Sequence, residues 1–514
     1  MDLTTHMVQK YKFNDRLKKA YHSAWTIWTI LIVGILIRAV QYIYNRSLWL
    51  DEMMLTHNII DRSFHGLLQP LDLNQGAPIG FLFLEKLAVL TFGPNAYALR
   101  LFPFLSGVIA LILFYKVCLS YIKKDVIPVC LLLFSFCIPL IRYSSEVKQY
   151  STDVLIALIL YLAADPFFSK EKGNLKYIIF GIIGALSVWF SHSSVFVLAG
   201  IGTVLFIMYL YSGDWRAAIK LAGVYLFWII SFALIYYVSL RYLTSNKVLT
   251  GYWKHYFAQI LPTSISAIRG DFDYFYFNVF SYIFGNKIYL IAGFLFFMGF
   301  GAIFIEKNVK LAAAISPVVF ALIASALGKY PFSGRLILFL APALILITSV
   351  GAISLISKYS GNMAVLILAL FLTFFLFPFY NAYKTIAKPI KIEEIKPVMQ
   401  YISKNSKKDD IIYVYYGAKI AFGFYSEKYN LHHMKCIVGS WDGRNNLKIL
   451  SKEIEKLKGH KRVWVLFSHV WKGNGINEEK FFLFKLNNIG KCIDSYHEKG
   501  ASAYLYVLGD KTTG

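Results

Sequence analysis

The chain has 514 residues, of which 57% are hydrophobic and only 16% are charged, with a mean hydropathy of +0.53. Soluble domains contain about 25% charged residues, so this composition excludes a soluble globular enzyme. The formal net charge is +24. In a membrane protein such an excess favours anionic lipid head groups and influences topology. No RNA- or DNA-binding motif accompanies it, so nucleic acid is not an expected partner.

The amino-terminal segment, residues 1–23, is polar and basic, and an apolar run follows at Ala24–Tyr44. This run has no small-residue cleavage site, so it is expected to be a first transmembrane helix and not a signal peptide. Arg38 lies near its outer end and is expected to extend its charge to the interface. The sequence predicts a cytoplasmic amino terminus.

Further apolar runs are each about long enough to cross a bilayer. Basic residues cluster on alternate connections, which the positive-inside rule assigns to the cytoplasm. Parity then places the other connections and everything after residue 380 outside. The expected transmembrane helices number about eleven: 24–44, 97–121, 126–141, 151–164, 175–190, 194–212, 221–240, 286–305, 311–328, 336–356 and 363–380.

Two external loops of this transmembrane domain (24–380) are large, at 45–96 and 241–285. They contain the aromatic-rich stretches Ala77–Phe92 and Asp273–Phe284, which are too polar or too short to span comfortably. We expect both to be amphipathic helices on the outer surface.

The tail, 381–514, differs in composition from the rest of the chain. Three stretches rich in β-branched and aromatic residues read as strands: Ile411–Tyr416, Arg462–Phe467 and Ala503–Leu508. Between these stretches, apolar residues recur at the spacing of a helix. The sequence therefore predicts a small extracytoplasmic α/β domain. It has no phosphate-binding glycine pattern, which favours a structural or acceptor-binding role.

The five cysteines show no CxxC or Cys/His spacing of a metal site. Cys118, Cys130 and Cys137 are expected to be core residues. Cys436 and Cys492 in the tail could form a disulfide if the tail faces an oxidising compartment.

Asp51 and Glu52 are adjacent carboxylates at the outer mouth of the first predicted helix. Adjacent helical residues point about 100° apart, so the two acids should face different surroundings. A carboxylate near apolar surroundings is costly unless it is used or paired. Two interpretations stay open. Either one acid is catalytic, or Asp51 is the N-cap of a surface helix and Glu52 interacts favourably with the positive end of the helix dipole.

Other polar residues cluster on the same side of the membrane. They lie in three external connections, in the segments Arg142–Tyr150, Ser191–Ser194 and Lys329–Arg335. An external reaction in bacteria lacks nucleoside triphosphates, so a polyprenyl-phosphate carrier would have to deliver the activated group. Such a donor requires cations for its phosphate and a carboxylate to take a proton from the acceptor hydroxyl.

Arg335 and Lys148 suit the phosphate, and Asp51 suits the proton. The alternative for each cation is snorkelling or a role in topology. His192 reads more simply as a satisfied interior histidine. Glu85 and Arg100 are expected to be structural.

The run Leu48-Trp-Leu-Asp51-Glu52 resembles the membrane glycosyltransferases of the GT-C fold, in particular the family-39 group of protein O-mannosyltransferases and lipid A aminoarabinose transferases. Gln75-Gly-Ala-Pro78, Phe92-Gly93 and Ala98-Leu-Arg100-Leu are similar to that family's first loop and second span. Glu146-x-Lys148-x-Tyr150 and Pro331-Phe-Ser-Gly-Arg335 are similar to features of its bacterial members. The resemblance covers about residues 24–380.

The resemblance implies that Asp51, with Glu52 beside it, is the catalytic base or orients the acceptor. It implies that Glu146 and Lys148 shape the substrate site. The aminoarabinose transferases have a lysine before the loop proline, where this chain has Ala77. The lipid phosphate would then be held by other residues, and the identity of the donor stays open. The full set of expected substrate-binding residues is Arg142, Glu146, Lys148, Tyr150, His192 and Arg335.

The resulting hypothesis is an inverting, polyprenyl-phosphate-sugar-dependent glycosyltransferase of the cytoplasmic membrane, acting on an envelope glycan, lipid or protein acceptor. No cofactor is required, although a divalent cation is compatible with the acids Asp51, Glu52 and Glu146. The alternatives are a flippase or transporter of polyprenyl-linked lipid and a non-catalytic relative that binds surface polymer. A transporter would need polar residues at mid-span, which these apolar runs nearly lack.

Overall fold

A computed structural model of the chain describes residues 23–169, 173–257, 265–358, 376–473 and 475–508. The chain divides into two compact units. The membrane unit contains the first helix, up to Tyr44, and Arg62–Pro389. The tail unit contains Asn45–Asp61 together with the chain from Ile390 onward. The sequence-based division placed 45–61 with the loops of the transmembrane domain, whereas the structure groups this segment with the tail.

Helices make up most of the described chain before the tail, and all of those given below except α2 belong to the membrane unit. In chain order they are α1 (Ala24–Tyr44), α2 (Leu50–Asp61), α3 (Ile79–Phe92), α4 (Ala96–Tyr121), α5 (Ile127–Phe136), α6 (Ile138–Tyr143), α7 (Tyr150–Phe168), α8 (Leu175–Phe190), α9 (Ser194–Tyr211), α10 (Trp215–Ile235), α11 (Arg241–Ser245), α12 (Lys247–Trp253), α13 (Ile265–Phe284), α14 (Tyr289–Ile305), α15 (Val309–Ala326), α16 (Ala341–Lys358) and α17 (376–387).

Seven helices in the described part of the chain are long and apolar enough to cross a membrane, or eight if the bent pair α13–α14 forms one span. The prediction of a polytopic helical membrane protein is therefore confirmed, but the number eleven is not. The span expected at 363–380 lies largely outside the described residues. The predicted span 175–190 is a shorter apolar helix of 16 residues, α8.

The predicted span 126–141 is broken into α5 and α6 at Cys137, whose backbone is extended. Pro139 explains the break, because proline has no N–H and its ring clashes with the carbonyl four residues earlier. The Ser135 carbonyl accepts instead from Nη1 of Arg38 at 3.2 Å, and the Phe134 carbonyl accepts from Nη2 at 3.4 Å. Arg38 is buried, so the prediction that its charge reaches the interface is wrong.

Helices α14 and α16 approach each other closely through two glycines. A Cβ atom on Gly299 would lie 2.0 Å from the Ile347 carbonyl oxygen, and one on Gly351 would lie 1.9 Å from the Leu295 carbonyl oxygen. No side chain fits at these distances. Small residues that allow backbone contact are the usual packing device between membrane helices, where water provides no hydrophobic drive.

Both stretches that were predicted as surface helices are helical. Ala77–Phe92 contains α3, and Asp273–Phe284 ends α13, which bends by 104° into α14. Glu85 on α3 is fully buried, and burial raises its carboxyl pKa well above the ordinary value. Neither of its oxygens has a hydrogen-bond partner within the described residues. A neutral acid packed inside the unit agrees with the expected structural role.

The tail unit is an α/β domain built on a five-stranded sheet of order β2-β1-β3-β7-β6. β2, β1 and β3 are parallel, and β7 and β6 are antiparallel to their neighbours. The elements are α18 (Ile395–Asn405), β1 (Ile411–Val414), α19 (Lys419–Tyr425), β2 (Lys435–Val438), α20 (Leu447–Glu455), β3 (Arg462–Ser468), β4 (Lys472–Gly473), β5 (Ile476–Asn477), α21 (Glu478–Asn487), β6 (Gly490–Glu498) and β7 (Ala501–Leu508).

The three strands expected in the tail are confirmed as β1, β3 and β7, which are mostly buried. The sequence analysis missed the two edge strands. β6 alternates between partly buried and exposed residues, and most of β2 is exposed. Edge strands of this kind carry a weaker apolar signal than central ones, because at most one face packs on the core.

The structure also answers the question of a tail disulfide. Cys436 lies on β2 and Cys492 on β6, at opposite edges of the sheet, and both are free. Four strand spacings of about 4.8 Å separate the two edges, whereas bridged cysteines need Cα atoms within about 7 Å. The two cysteines therefore do not pair.

Candidate functional site

The segment between α6 and α7 forms a compact buried turn in the membrane unit. The amide of Ser145 donates to the Arg142 carbonyl at 3.1 Å, and the amide of Lys148 donates to the Glu146 carbonyl at 2.7 Å. Glu146 and Lys148 are almost completely buried. A loop that buries two charged side chains must provide partners for them, because an isolated buried charge is very costly.

Arg142 provides the partner of Glu146, since its Nε donates to Oε2 of Glu146 at 3.0 Å. Burial alone would lower the pKa of Arg142, but the Glu146 carboxylate outweighs it and holds that pKa above its ordinary value. The guanidinium of Arg142 therefore stays charged, and the two side chains form an ion pair. It fixes the turn on which the neighbouring Lys148 is presented.

Lys148 joins this turn to the first loop. Its Nζ donates to Oε1 of Gln75 at 2.8 Å. Gln75 begins the Gln-Gly-Ala-Pro motif, so two motifs that the resemblance identified separately are in direct contact. An ammonium group has three donors and no acceptor, so a lysine at this position is chemically suited to binding an anion.

Arg335 lies above Tyr150, with its guanidinium carbon 5.4 Å from the ring centroid. The Tyr150 ring in turn contacts Tyr143, with centroids 4.9 Å apart. These contacts place Arg335 next to the turn that carries Arg142, Glu146 and Lys148. Five of the six expected substrate-binding residues therefore lie together, and we call Arg142, Glu146, Lys148, Tyr150 and Arg335 the cation cluster.

His192 lies in the connection between α8 and α9. Burial lowers the pKa of its imidazole to about 4, so the ring is neutral at pH 7. Its Nε2 is buried and has no hydrogen-bond partner within the described residues. Within the described residues, no hydrogen bond, ion pair or ring contact links His192 directly to the cation cluster, so its expected role in substrate binding stays a prediction.

Asp153 is a residue that the sequence analysis missed. It lies one turn into α7, is buried, and interacts with the hydroxyls of Ser191 and Ser193 on either side of His192. The signal was available, because an acid inside an apolar run of a membrane protein is rare and is a functional candidate by default. Asp153 follows Tyr150 of the cation cluster by three positions on the same helix face.

Asp51 and Glu52 lie in the first turn of α2, in the tail unit. Glu52 is fully buried, whereas Asp51 is partly exposed. The expectation that the two acids face different surroundings is therefore confirmed. Oε2 of Glu52 lies 2.5 Å from Nη1 of Arg46 and also accepts from the Trp49 amide at 3.4 Å.

The segment before Asp51 is held by residues of the tail from beyond Ile390. Oε2 of Glu393 accepts from the Leu50 amide at 2.9 Å. Oε2 of Glu394 accepts from the Ser47 amide at 3.3 Å, and the Tyr425 hydroxyl accepts from the Leu48 amide at 3.1 Å. These contacts explain why 45–61 groups with the tail. No local pattern predicts these contacts, because the partners lie more than 340 positions apart in the chain.

Among the described residues there is no group of three or more His, Cys, Asp or Glu side chains that could hold a metal ion. Asp51, Glu52 and Glu146 were the acids considered for a divalent cation. Glu52 and Glu146 each bind an arginine instead, so their arrangement is that of ion pairs.

No family model and no curated protein matches the sequence. Solved structures do match. ArnT from Cupriavidus metallidurans bound to undecaprenyl phosphate has a TM-score of 0.53 and 12% identity, over 94% of this chain and 97% of that one. Its apo state has a TM-score of 0.52 at the same identity, over 94% and 98%. The apo oligosaccharyltransferase from Archaeoglobus fulgidus has a TM-score of 0.53 and 13% identity, over 94% and 74%.

The chain has the GT-C fold. The expected GT-C architecture, with its helical membrane unit and small α/β tail, is thus confirmed. At such low identity the likeness establishes the fold and assigns no residue, so the roles of Asp51 and of the cation cluster rest on this chain's own geometry.

Proposed function

We propose that this GT-C protein is a membrane glycosyltransferase that moves a sugar from a polyprenyl-phosphate carrier to an acceptor on the outer face of the cytoplasmic membrane. The observation that carries the proposal is the likeness, over nearly the whole of both chains, to a structure with undecaprenyl phosphate bound. In this scheme the amino terminus is cytoplasmic, and the tail and the external loops face outward.

Asp51 is the proposed base. It is partly exposed at the start of α2, so a substrate hydroxyl can reach it. Glu52 was a second candidate, but its carboxylate is buried against Arg46 and the Trp49 amide. We therefore assign Glu52 to holding the segment around Asp51, and Asp51 alone to proton transfer.

The cation cluster is the proposed site of the lipid phosphate. Arg142 is bound to Glu146, Lys148 contacts the Gln75 amide, and Arg335 lies over the Tyr150 ring. Arg335 can bind two phosphate oxygens through its planar fork, and Lys148 adds a point charge. As the carrier phosphate leaves, both cations stabilise the charge that develops on it.

The proposed reaction is a single inverting displacement. The acceptor oxygen attacks the anomeric carbon, the bond from that carbon to the phosphate oxygen breaks, and the hydroxyl proton passes to Asp51. Polyprenyl phosphate leaves with the bonding electron pair. The acceptor is a hydroxyl-bearing envelope glycan, lipid or protein.

A deletion strain complemented with Asp51→Asn tests the proposal. We expect one polyprenyl-linked monosaccharide to accumulate in the deletion strain and in the Asp51→Asn strain, as measured by mass spectrometry of lipid extracts. Asp61→Asn is the matched control, because Asp61 is an exposed acid at the other end of the same helix. It should restore the wild-type lipid profile.

The same experiment separates an enzyme from a flippase. Purified protein in detergent should release polyprenyl phosphate from the lipid extract of the deletion strain when the envelope fraction is added. A flippase would move the lipid without cleaving it. Undiminished release by Asp51→Asn would contradict the role of Asp51.

A further inference from the structure

The first amide of helix α2, that of Leu50, takes its hydrogen-bond partner from a distant part of the chain, whereas Glu52 accepts from the Trp49 amide just before the helix. The first N–H groups of any helix lack partners inside the helix. Here the Leu50 amide, directly before Asp51, donates to Oε2 of Glu393 at 2.9 Å. A carboxylate from a distant part of the chain thus performs the task that a local Ser, Thr or Asp usually performs.

The other oxygen of the same carboxylate is also used. Oε1 of Glu393 lies 2.6 Å from Nδ1 of His469, which follows β3. His469 has a φ of +51°, in the left-handed region that a residue with a side chain adopts rarely and at a cost. The fold therefore maintains a strained backbone at the residue that contacts Glu393.

Two close backbone approaches keep Glu393 and His469 in place. A Cβ atom on Gly417, after β1, would lie 2.6 Å from the Ser468 carbonyl oxygen and 2.9 Å from that of His469. On the other side, the Glu394 amide donates to the Lys499 carbonyl in the β6–β7 turn at 2.8 Å. The sheet of the tail is thus connected by short contacts to Glu393, and Glu393 to Leu50.

We propose that Glu393 is a positioning residue for Asp51, fixed by His469, so that the tail sets the geometry of the proposed base. The inference rests on the proposed function, in which Asp51 accepts the proton. Without Glu393 the first turn of α2 has an unpaired N–H at Leu50 and frays, and Asp51 moves with it. A misplacement of about 1 Å is enough to lower a rate about 100-fold.

The experiment uses the full-length protein in detergent, with the lipid extract of the deletion strain as donor and the envelope fraction as acceptor. Glu393→Ala should lower kcat about 30- to 100-fold with little change in the apparent KM for lipid. Glu393→Gln should stay within about 3-fold of the wild type. Its carbonyl can accept from Leu50, and its amide can donate to Nδ1 of the other imidazole tautomer.

His469 provides a second variant. Removing it leaves the Leu50 bond in place but frees the carboxylate to rotate, so His469→Ala should cost less than Glu393→Ala, about 3- to 10-fold in kcat. His469→Gln, which can still donate to Glu393, should recover most of that loss.

The matched control is Glu453→Gln. Glu453 is also a buried carboxylate of the tail that serves two donors, the Tyr413 hydroxyl and the Ser440 amide, but it does not contact the segment 45–61. Its kcat should stay within about 2-fold of the wild type, since only the local contacts of the tail are lost.

Hydrogen exchange gives a readout that needs no turnover. In Glu393→Ala the amide hydrogens of the peptide that contains Leu50–Met53 should exchange at least about 10-fold faster than in the wild type. Loss of the Leu50 hydrogen bond allows this helix end to open locally, without unfolding of the rest of the tail. In Glu453→Gln this peptide should exchange as in the wild type. If Glu393→Ala is too unstable for kinetics, His469→Ala decides the matter, because it should show a smaller increase in exchange at the same peptide and none elsewhere in the tail.

The results separate the two claims. If Asp51→Asn is inactive but Glu393→Ala and His469→Ala match Glu453→Gln in kcat and exchange, the positioning role is wrong and the proposed function stands. If Asp51→Asn transfers sugar normally, Asp51 is not the base. Faster exchange at Leu50–Met53 in Glu393→Ala without loss of kcat would also overturn the positioning role.

Discussion

Arg38 and Arg46 are both buried arginines, and they use their charges in different ways. Arg38, in the membrane unit, donates to the carbonyls of Gly34, Phe134 and Ser135. Arg46, in the tail unit, binds the Glu52 carboxylate. The first repairs a backbone hydrogen-bond deficit that Pro139 creates, and the second neutralises an acid next to the proposed base.

The comparison shows that a buried charge is not by itself a functional signal. Arg38 is in a transmembrane helix, where a charge is a functional candidate by default, yet its partners are all main-chain carbonyls. The membrane offers no water to satisfy those carbonyls, so an internal donor is required. Arg46 lies in a loop, where a charged residue is common and gives no functional signal in the sequence. Its ion pair with Glu52 nevertheless stabilises the segment that carries Asp51.

The largest expected effect is that of Arg46→Leu. Removing one partner of a buried ion pair leaves an unpaired buried charge and costs about 3–5 kcal/mol. This loss can be measured as a change in the free energy of unfolding of the tail, by using proteolysis of the full-length protein at increasing urea concentrations to detect unfolding. Arg46→Leu combined with Glu52→Leu should recover much of it, because two apolar side chains replace the pair. If the double variant is no more stable than the single one, the ion pair is not the source of the loss.

Arg38→Leu should cost less, about 2–3 kcal/mol, because it leaves buried carbonyls unpaired and no charge behind. Thermal unfolding of the detergent-solubilised protein checks this value. Pro139→Ala restores an N–H that can reach the Ser135 carbonyl, so it should rescue part of the loss caused by Arg38→Leu. Strict additivity of the two changes would contradict the repair role of Arg38.

His192→Gln should change the pH dependence of stability in the membrane unit. Burial lowers the pKa of His192 to about 4, below the value of about 6.5 in an unfolded chain. The unfolded state therefore binds the proton more readily, and stability is lost as the pH falls from about 6.5 toward 4. At pH 5.5 the loss is about 1.4 kcal/mol. As the pH falls from 7.5 to 5.5, the melting temperature of His192→Gln should rise relative to that of the wild type at the same pH, and a difference between the two proteins that does not change with pH would show that His192 is not the titrating group.

The smallest effect on the free energy of unfolding is expected at an ion pair on the tail surface. It serves as a reference for the effects of the two buried arginines, Arg38 and Arg46. Lys391 and Glu498 are 3.1 Å apart and partly exposed. Glu498→Gln should change the free energy of unfolding by less than about 0.5 kcal/mol, because solvent screens such pairs. A loss as large as that of Arg46→Leu would mean that burial does not distinguish these pairs.

Much of the fold could be predicted from the sequence. The long apolar runs gave the membrane helices, and the β-branched and aromatic runs gave β1, β3 and β7. The break at Cys137 was missed although Pro139 was visible, because the apolar run continues through it and only the carbonyl partners on α1 make the break tolerable. The edge strands β2 and β6 were missed because their residues do not show a continuous apolar pattern.

The candidate site was predictable in part. Arg142, Glu146, Lys148 and Tyr150 are close in sequence, so their clustering follows from one short turn. Arg335 joined them on chemical grounds, and the structure places it on the Tyr150 ring. Asp153 was missed although an acid within an apolar span is a visible signal. Glu393 could not have been predicted, because only folding brings it to Leu50.

The sequence by itself determined that the chain is a polytopic helical membrane protein with an α/β tail, since apolar periodicity and length depend on local composition alone. It also suggested Asp51 and the cations Lys148 and Arg335 as candidates, because their chemistry is a property of their side chains. Only the tertiary structure decided that the segment of Asp51 belongs to the tail, that Glu52 is bound to Arg46, and that Arg38 satisfies a broken helix. Each of these three features depends on the hydrogen-bond or ionic partner that the fold brings to a buried side chain. No local sequence pattern specifies that partner.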